Sequence, residues 1–100
     1  MYYQKTIEIV RQTIQEVAPG TRSEQGLALD PKDVPFSYLL WTCDKVSEMN
    51  TNSLDDALKA SRWIGWILAR AEVKGLWNNE ISRDIVRNDV YHGFDRPHQQ

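Results

Sequence analysis

Apolar side chains at Tyr3, Ile7, Val10, Ile14 and Val17 recur at alternating steps of four and three residues. That spacing predicts one helix face with the seam period of a coiled coil. Gln4, Lys5, Glu8, Arg11, Gln12 and Gln15 fill the other side, and Ile9 lies off the stripe, either as a second contact or as an exposed residue. Pro19-Gly20 ends this helix, because proline cannot continue it and glycine leaves it at little steric cost. Phe36, Leu39, Leu40, Cys43 and Val46 then mark the inner face of a second helix. It is expected to begin near Pro35, with Asp33 as its cap, and to end around Met49-Asn50. A third helix is predicted from Ser53, with Asp56 three residues on in a box-like start, through Lys74. Gly75 suits the left-handed position that closes it. Asn78 or Asn79 caps a fourth helix that reaches Tyr91 or His92 and stops at Gly93, with Ile81, Ile85, Val86 and Val90 as its apolar members.

Residues 19–34, rich in proline, glycine and aspartate, read as a loop of about 15 residues, longer than most connections in compact domains. Leu27 and Leu29 are expected to pin it to the core, and residues 93–100 to fray. No strand-like alternation or internal repeat is present. The expected fold is all-α: a single helical domain over residues 1–100, a compact bundle of about four helices with a long central third helix and a long loop between helices one and two.

The third helix carries the most informative pattern. On a helical wheel Leu54, Ala57, Leu58, Ala60, Ser61, Ile64, Gly65, Ile67, Leu68, Ala69 and Ala71 share one arc of about 200°, wide enough to touch several neighbours. Within it Ala57, Ser61, Gly65 and Ala69 recur every fourth residue. Glycine costs roughly 1 kcal/mol against alanine in a helix. The expected compensation is close approach of another backbone along this small-residue row. Trp63 and Trp66 stand on the opposite side among Lys59, Arg62, Arg70 and Lys74, at spacings that bring a cation beside each indole. Trp41 likewise falls off the main stripe of its own helix, beside Lys45 and Glu48.

Three coverings for these rings follow. The loop, the first helix or a second copy of the chain buries them; or they form a partner-binding patch, since Trp and Arg are enriched among interface hot spots; or they stack on bases. Trp41, Lys59, Arg62, Trp63, Trp66 and Arg70 are the candidate partner-binding or oligomer surface, with a homodimer favoured.

Composition narrows this choice. The 100 residues are 41% hydrophobic and 26% charged, with a net charge of −2, ordinary for a small soluble domain. No basic excess draws the chain to nucleic acid or anionic lipid, so nucleic acid is not favoured. The longest apolar run, Trp63 to Ala69, is far short of the ~20 residues that span a bilayer, so no membrane association is expected. No basic segment precedes an apolar one at the start, and Cys43 is the only cysteine. Both features suit a reducing cytoplasm.

Catalytic chemistry is thinly represented. Cys43 sits on a buried stripe, where a thiol acts as a small hydrophobe. His92 and His98 share no helix face that would hold a metal, and no nucleophile elbow or phosphate loop occurs. Asp55 and Asp56 complement a helix N-terminus. No enzyme, cofactor or metal is expected. Residues 66–87 offer an alternative: Ala71, Gly75 and Ile81 fall at the spacing of a helix-turn-helix, although Asp84 occupies a position that motif fills with an apolar residue. Arg83 and Arg87 would then be the nucleic-acid contacts. The plainer reading of the same stretch is an αα-hairpin closed by a glycine cap.

The runs "KASRWIGWI" (Lys59–Ile67), Lys74-Gly75-Leu76 and "EISRDIVR" (Glu80–Arg87) resemble a group of small proteins encoded by bacteriophages and prophages. The resemblance spans the C-terminal half only; Trp66 and Ala69 depart from its pattern, and no active site comes with it. It implies a cytoplasmic accessory protein that modulates a host process by binding another protein. Sequestration of a small molecule or nucleotide is a further alternative, which a pocket among the tryptophans would favour.

Overall fold

Four α-helices build the described part of the chain: α1 (Gln4–Val17), α2 (Phe36–Ser47), α3 (Leu54–Val73) and α4 (Asn79–His92). The structure, a computed structural model, describes residues 1–26 and 34–92, excepting the side chains of 90–92. The expectations for Leu27, Leu29, Asp33, Val90, His92, Gly93, His98 and the 93–100 tail therefore lie outside the described residues. α1 packs on α2 and α4, and α3 packs on the same two helices, so the four close a ring around one core. Ile7, Val10 and Ile14 from α1 meet Leu39, Leu40, Cys43 and Val46 from α2 and Ala60, Ile64, Ile67 and Leu68 from α3. Each fully buried aliphatic side chain contributes about 1.5–3 kcal/mol. Val34 joins this core from the end of the long connection. The all-α expectation holds, with α3 the longest helix.

Local signals placed most boundaries. Ser53 Oγ accepts from the Asp56 N–H at 3.2 Å, as expected of a cap. The Asp56 carboxylate, however, reaches past Ser53 to the Asn50 N–H at 2.7 Å, so it tightens the preceding turn instead of closing a reciprocal box. At the far end Gly75 has φ +82°, its N–H donates to Glu72 O, and the Leu76 N–H donates to Ala71 O. These two bonds complete a Schellman closure, which glycine alone adopts without strain. Asn78 Oδ1 accepts from the Ile81 N–H at 3.0 Å and is the cap of α4.

Other expectations need correction. Pro35 is the N-cap residue of α2, not its first helical residue. Tyr3 is the N-cap of α1, in a left-handed conformation (φ 55°) with no side-chain cap of its own. Val17 is 56% exposed, because α1 has reached its exit by that point. Ile9, left open between a second contact and an exposed position, is exposed. The exit is held by Gln15, whose side chain accepts from the Gly20 N–H at 3.0 Å and donates to Thr21 O at 2.8 Å.

The small-residue row of α3 is not a seam. Ser61, Gly65 and Ala69 are exposed, and a Cβ added at Gly65 meets nothing within 4 Å. Leu54 and Leu58, beside that row, are 75% and 54% exposed. The apolar arc is wider than the two helices packed on α3 can cover. On α4, Ile81 is 45% exposed, while Ser82, Ile85 and Asp89 are buried. Two polar residues thus occupy the inner face where aliphatic ones were expected.

Asp89 explains one of these exchanges. Its Oδ2 accepts from the Thr6 N–H at 2.8 Å and from Thr6 Oγ1 at 2.6 Å. Thr6 lies in the first turn of α1, whose N–H groups lack partners inside the helix. A carboxylate from α4 supplies that partner and complements the positive end of the α1 dipole. The cap of α1 therefore comes from a residue 83 positions later. On the other side of α1, Arg11 pairs with Asp44 of α2 at 2.7 Å.

Candidate functional site

α2 and α3 each carry a pair of aromatic residues three apart, Tyr38 and Trp41, Trp63 and Trp66, at the margin of the core, with Tyr38, Trp63 and Trp66 packed against it. Three residues are just under one helical turn, so each pair projects together. The two pairs meet across the helix interface. Ring centroids lie 5.5 Å apart for Tyr38–Trp41, 5.9 Å for Tyr38–Trp66 and 6.3 Å for Trp41–Trp63. Their interplanar angles run from 37° to 65°, within the tilted and edge-on arrangements that aromatic quadrupoles prefer. All four rings are partly buried and keep solvent-facing area. With Thr42 and Arg62 they line a recess of about 350 Å³.

Cations frame these rings. Lys45 Nζ lies 5.3 Å from the Trp41 ring centre, Arg70 lies 5.7 Å from that of Trp66, and Lys74 Nζ lies 4.4 Å from that of Phe36. Lys45 also approaches Glu48 at 3.6 Å. The Arg70–Trp66 contact matches the expected spacing. The expected stacking of Lys59 on Trp63 and of Arg62 on Trp66 does not form. Arg62 instead shares the wall of the recess with both indoles. Lys59 lines a second, smaller hollow of about 190 Å³ with Trp63, Met49, Asp56, Lys45 and Glu48.

The structure thus brings Trp41, Arg62, Trp63 and Trp66 into one wall, with Lys59 and Arg70 at its edges. Tyr38 and Thr42 belong to the same wall and were not among the residues singled out in the sequence. Tyr38 had a readable signal: it stands three residues before Trp41 on the same flank of α2. Thr42 had none, since its hydroxyl donates to Leu39 O inside the helix.

Arg83 and Arg87 stand elsewhere, on a groove of about 510 Å³ between α3 and α4 that also includes Gly65, Ala69 and Glu72. Arg87 approaches Asp84 at 3.3 Å. Trp77, the fourth tryptophan, sits in the α3–α4 turn and donates to Ser82 Oγ at 2.8 Å.

Cys43 points the other way from Trp41, into the core. Burial pushes its thiol up from 9.0 to about 12, only partly opposed by the Arg11 charge. It is a neutral hydrophobe at physiological pH, without the thiolate that nucleophilic chemistry needs. Among the described residues no group of three or more His, Cys, Asp or Glu side chains is placed to hold a metal, and no helix is long and apolar enough to cross a membrane. Comparisons with protein-family models, with curated proteins and with solved structures gave no match to this chain.

Proposed function

We propose that this protein is a small non-enzymatic interaction module, a cytoplasmic accessory protein of phage or prophage origin, that binds another protein through the aromatic recess between α2 and α3. One observation carries the reading: four aromatic rings from two helices are gathered into a single concave wall and left partly open to solvent. Tyr38, Trp63 and Trp66 pack on the core with one part of their surface and keep the rest open to the recess, where an amphipathic ring offers apolar area to a partner. Recessed Trp and Tyr side chains with Arg at the rim are the composition of binding hot spots. A second copy of the chain is the competing occupant, which would make the protein a homodimer through this face.

The test is capture from bacterial extract with the native chain, Trp63→Ala and Ile81→Ala, each checked for helicity. A bound protein retained by the native chain and by Ile81→Ala, and lost with Trp63→Ala, is the expected result. Bound proteins indifferent to Trp63→Ala would sink the reading. Concentration-dependent self-association that Trp63→Ala abolishes would transfer the face to the homodimer.

A second reading has its own support. A recess of about 350 Å³ lies at the small end of small-molecule sites, which span roughly 300–1,000 Å³, so sequestration of a compact apolar ligand is the alternative. The DNA-binding alternative over residues 66–87 has less behind it. Ile81, whose apolar side chain that motif would bury, faces solvent, and Arg87 is engaged with Asp84.

A further inference from the structure

We infer that the occupant of the recess is an acidic segment of the partner protein: one large apolar side chain enters among Tyr38, Trp41, Trp63 and Trp66, and flanking carboxylates meet Lys59 and Arg62. The inference rests on reading the recess as a protein-binding site and adds the chemistry of what binds there.

The chain as a whole carries a net charge of −2, yet cations gather on this one face. Lys45, Arg70 and Lys74 each lie against an aromatic ring. Lys59 and Arg62 are exposed and have neither an ion pair nor a ring partner among the described residues. Neighbouring acidic groups are directed elsewhere. Asp56 holds the Asn50 N–H at 2.7 Å, Glu48 lies with Lys45, and Asp44 is held by Arg11 at 2.7 Å. Asp55, one turn before Lys59, makes no ion pair with it and stands at the positive end of α3. Arg62 on the wall of the recess, and Lys59 in the adjoining hollow that shares Trp63 with it, are two exposed cations without an ion pair among the described residues, and they favour a partner that brings negative charge beside an apolar anchor.

The same chemistry without the recess would suit a nucleic acid strand, but the rings are arranged against it. Base stacking uses flat, open ring faces. Here the Trp41 and Trp66 faces already carry Lys45 and Arg70, and the rings are tilted against one another instead of forming a platform.

The test is selection of displayed random short peptides on the full chain, followed by titration of the recovered peptides observed through the indole N–H resonances. Expected are net-acidic peptides with one aliphatic or aromatic anchor. They shift the signals of Trp41, Trp63 and Trp66, leave that of Trp77 in place, and bind about tenfold more weakly to Lys59→Glu/Arg62→Glu. Both substituted positions are exposed, so this variant retains the fold. Neutral or basic peptides that move the same three indoles and ignore the double substitution would overturn the acidic occupant and leave the protein-binding site standing. Recovery of no peptide that moves those indoles would overturn both. A single-stranded oligothymidylate that moves them at lower concentration than any peptide would overturn both in favour of nucleic acid.

Discussion

The α1–α4 contact and the α2–α3 aromatic face depart from an apolar helix interface in opposite ways. Between α1 and α4 a carboxylate is fully buried and joined to Thr6 by two short hydrogen bonds. Between α2 and α3 large apolar rings remain partly in water. The first places polar groups inside and pairs Asp89 Oδ2 with both Thr6 donors, while the buried Oδ1 has no hydrogen-bond partner among the described residues; the paired oxygen ties α4 to α1. The second places apolar groups outside and leaves them unsatisfied, which costs hydrophobic stabilisation that the fold could have had. A polar group inside is explained by its partner within the chain.

The sharpest way to break this contrast is Asp89→Ala. It removes both bonds, leaves the Thr6 N–H and hydroxyl buried without an acceptor, and uncaps α1. A loss of about 3 kcal/mol is expected by denaturant titration. Thr6→Val should cost less, because the Thr6 N–H keeps its acceptor. If Asp89→Ala proved no more destabilising than Trp63→Ala, the two regions would not differ in the way described.

Per pH unit, the next effect in size is on α2, whose two faces are the dry Cys43 and the half-open Trp41. The folded-state thiol is raised to about 12 from 9.0, so the folded chain keeps a proton that the unfolded chain releases. This stabilisation is complete below pH 9 and is lost as pH rises through the window up to about 12. Within that window the Cys43 contribution should fall by about 1.4 kcal/mol per pH unit, read as the difference between the native chain and Cys43→Ala. At neutral pH a thiol reagent should modify Cys43 only as fast as the protein opens, while acrylamide quenches the indoles of the folded chain.

The smallest effect tests α3 beside the aromatic face. Gly65→Ala should stabilise the isolated chain by roughly 0.5–1 kcal/mol, since the added methyl enters open space and the helix gains propensity. Destabilisation instead, or loss of self-association, would mean that a second copy packs on this row.

Much of the architecture was legible because its causes are local. The four-and-three spacing of Ile7, Val10 and Ile14, the Ser53 cap and the Gly75 closure involve residues within one or two turns of each other. So did part of the site: Trp41, Trp63 and Trp66 were visible as rings off the main stripe. The Thr6–Asp89 cap was not legible, since two residues 83 positions apart carry no shared periodicity and the aspartate resembles an ordinary surface charge. Gly65 misled for the related reason that a row of small residues permits close approach without supplying the neighbour.

The sequence alone determined the number of helices, the Ser53 and Gly75 ends of α3 and the apolar stripe of α1, because hydrogen bonds within a few residues and side-chain periodicity decide those things. Only the tertiary structure decided which apolar positions are covered. Coverage depends on the distance and orientation of neighbouring helices. Those put α2 against the Trp63–Trp66 flank closely enough to gather its rings, and left Leu54, Leu58 and Gly65 exposed.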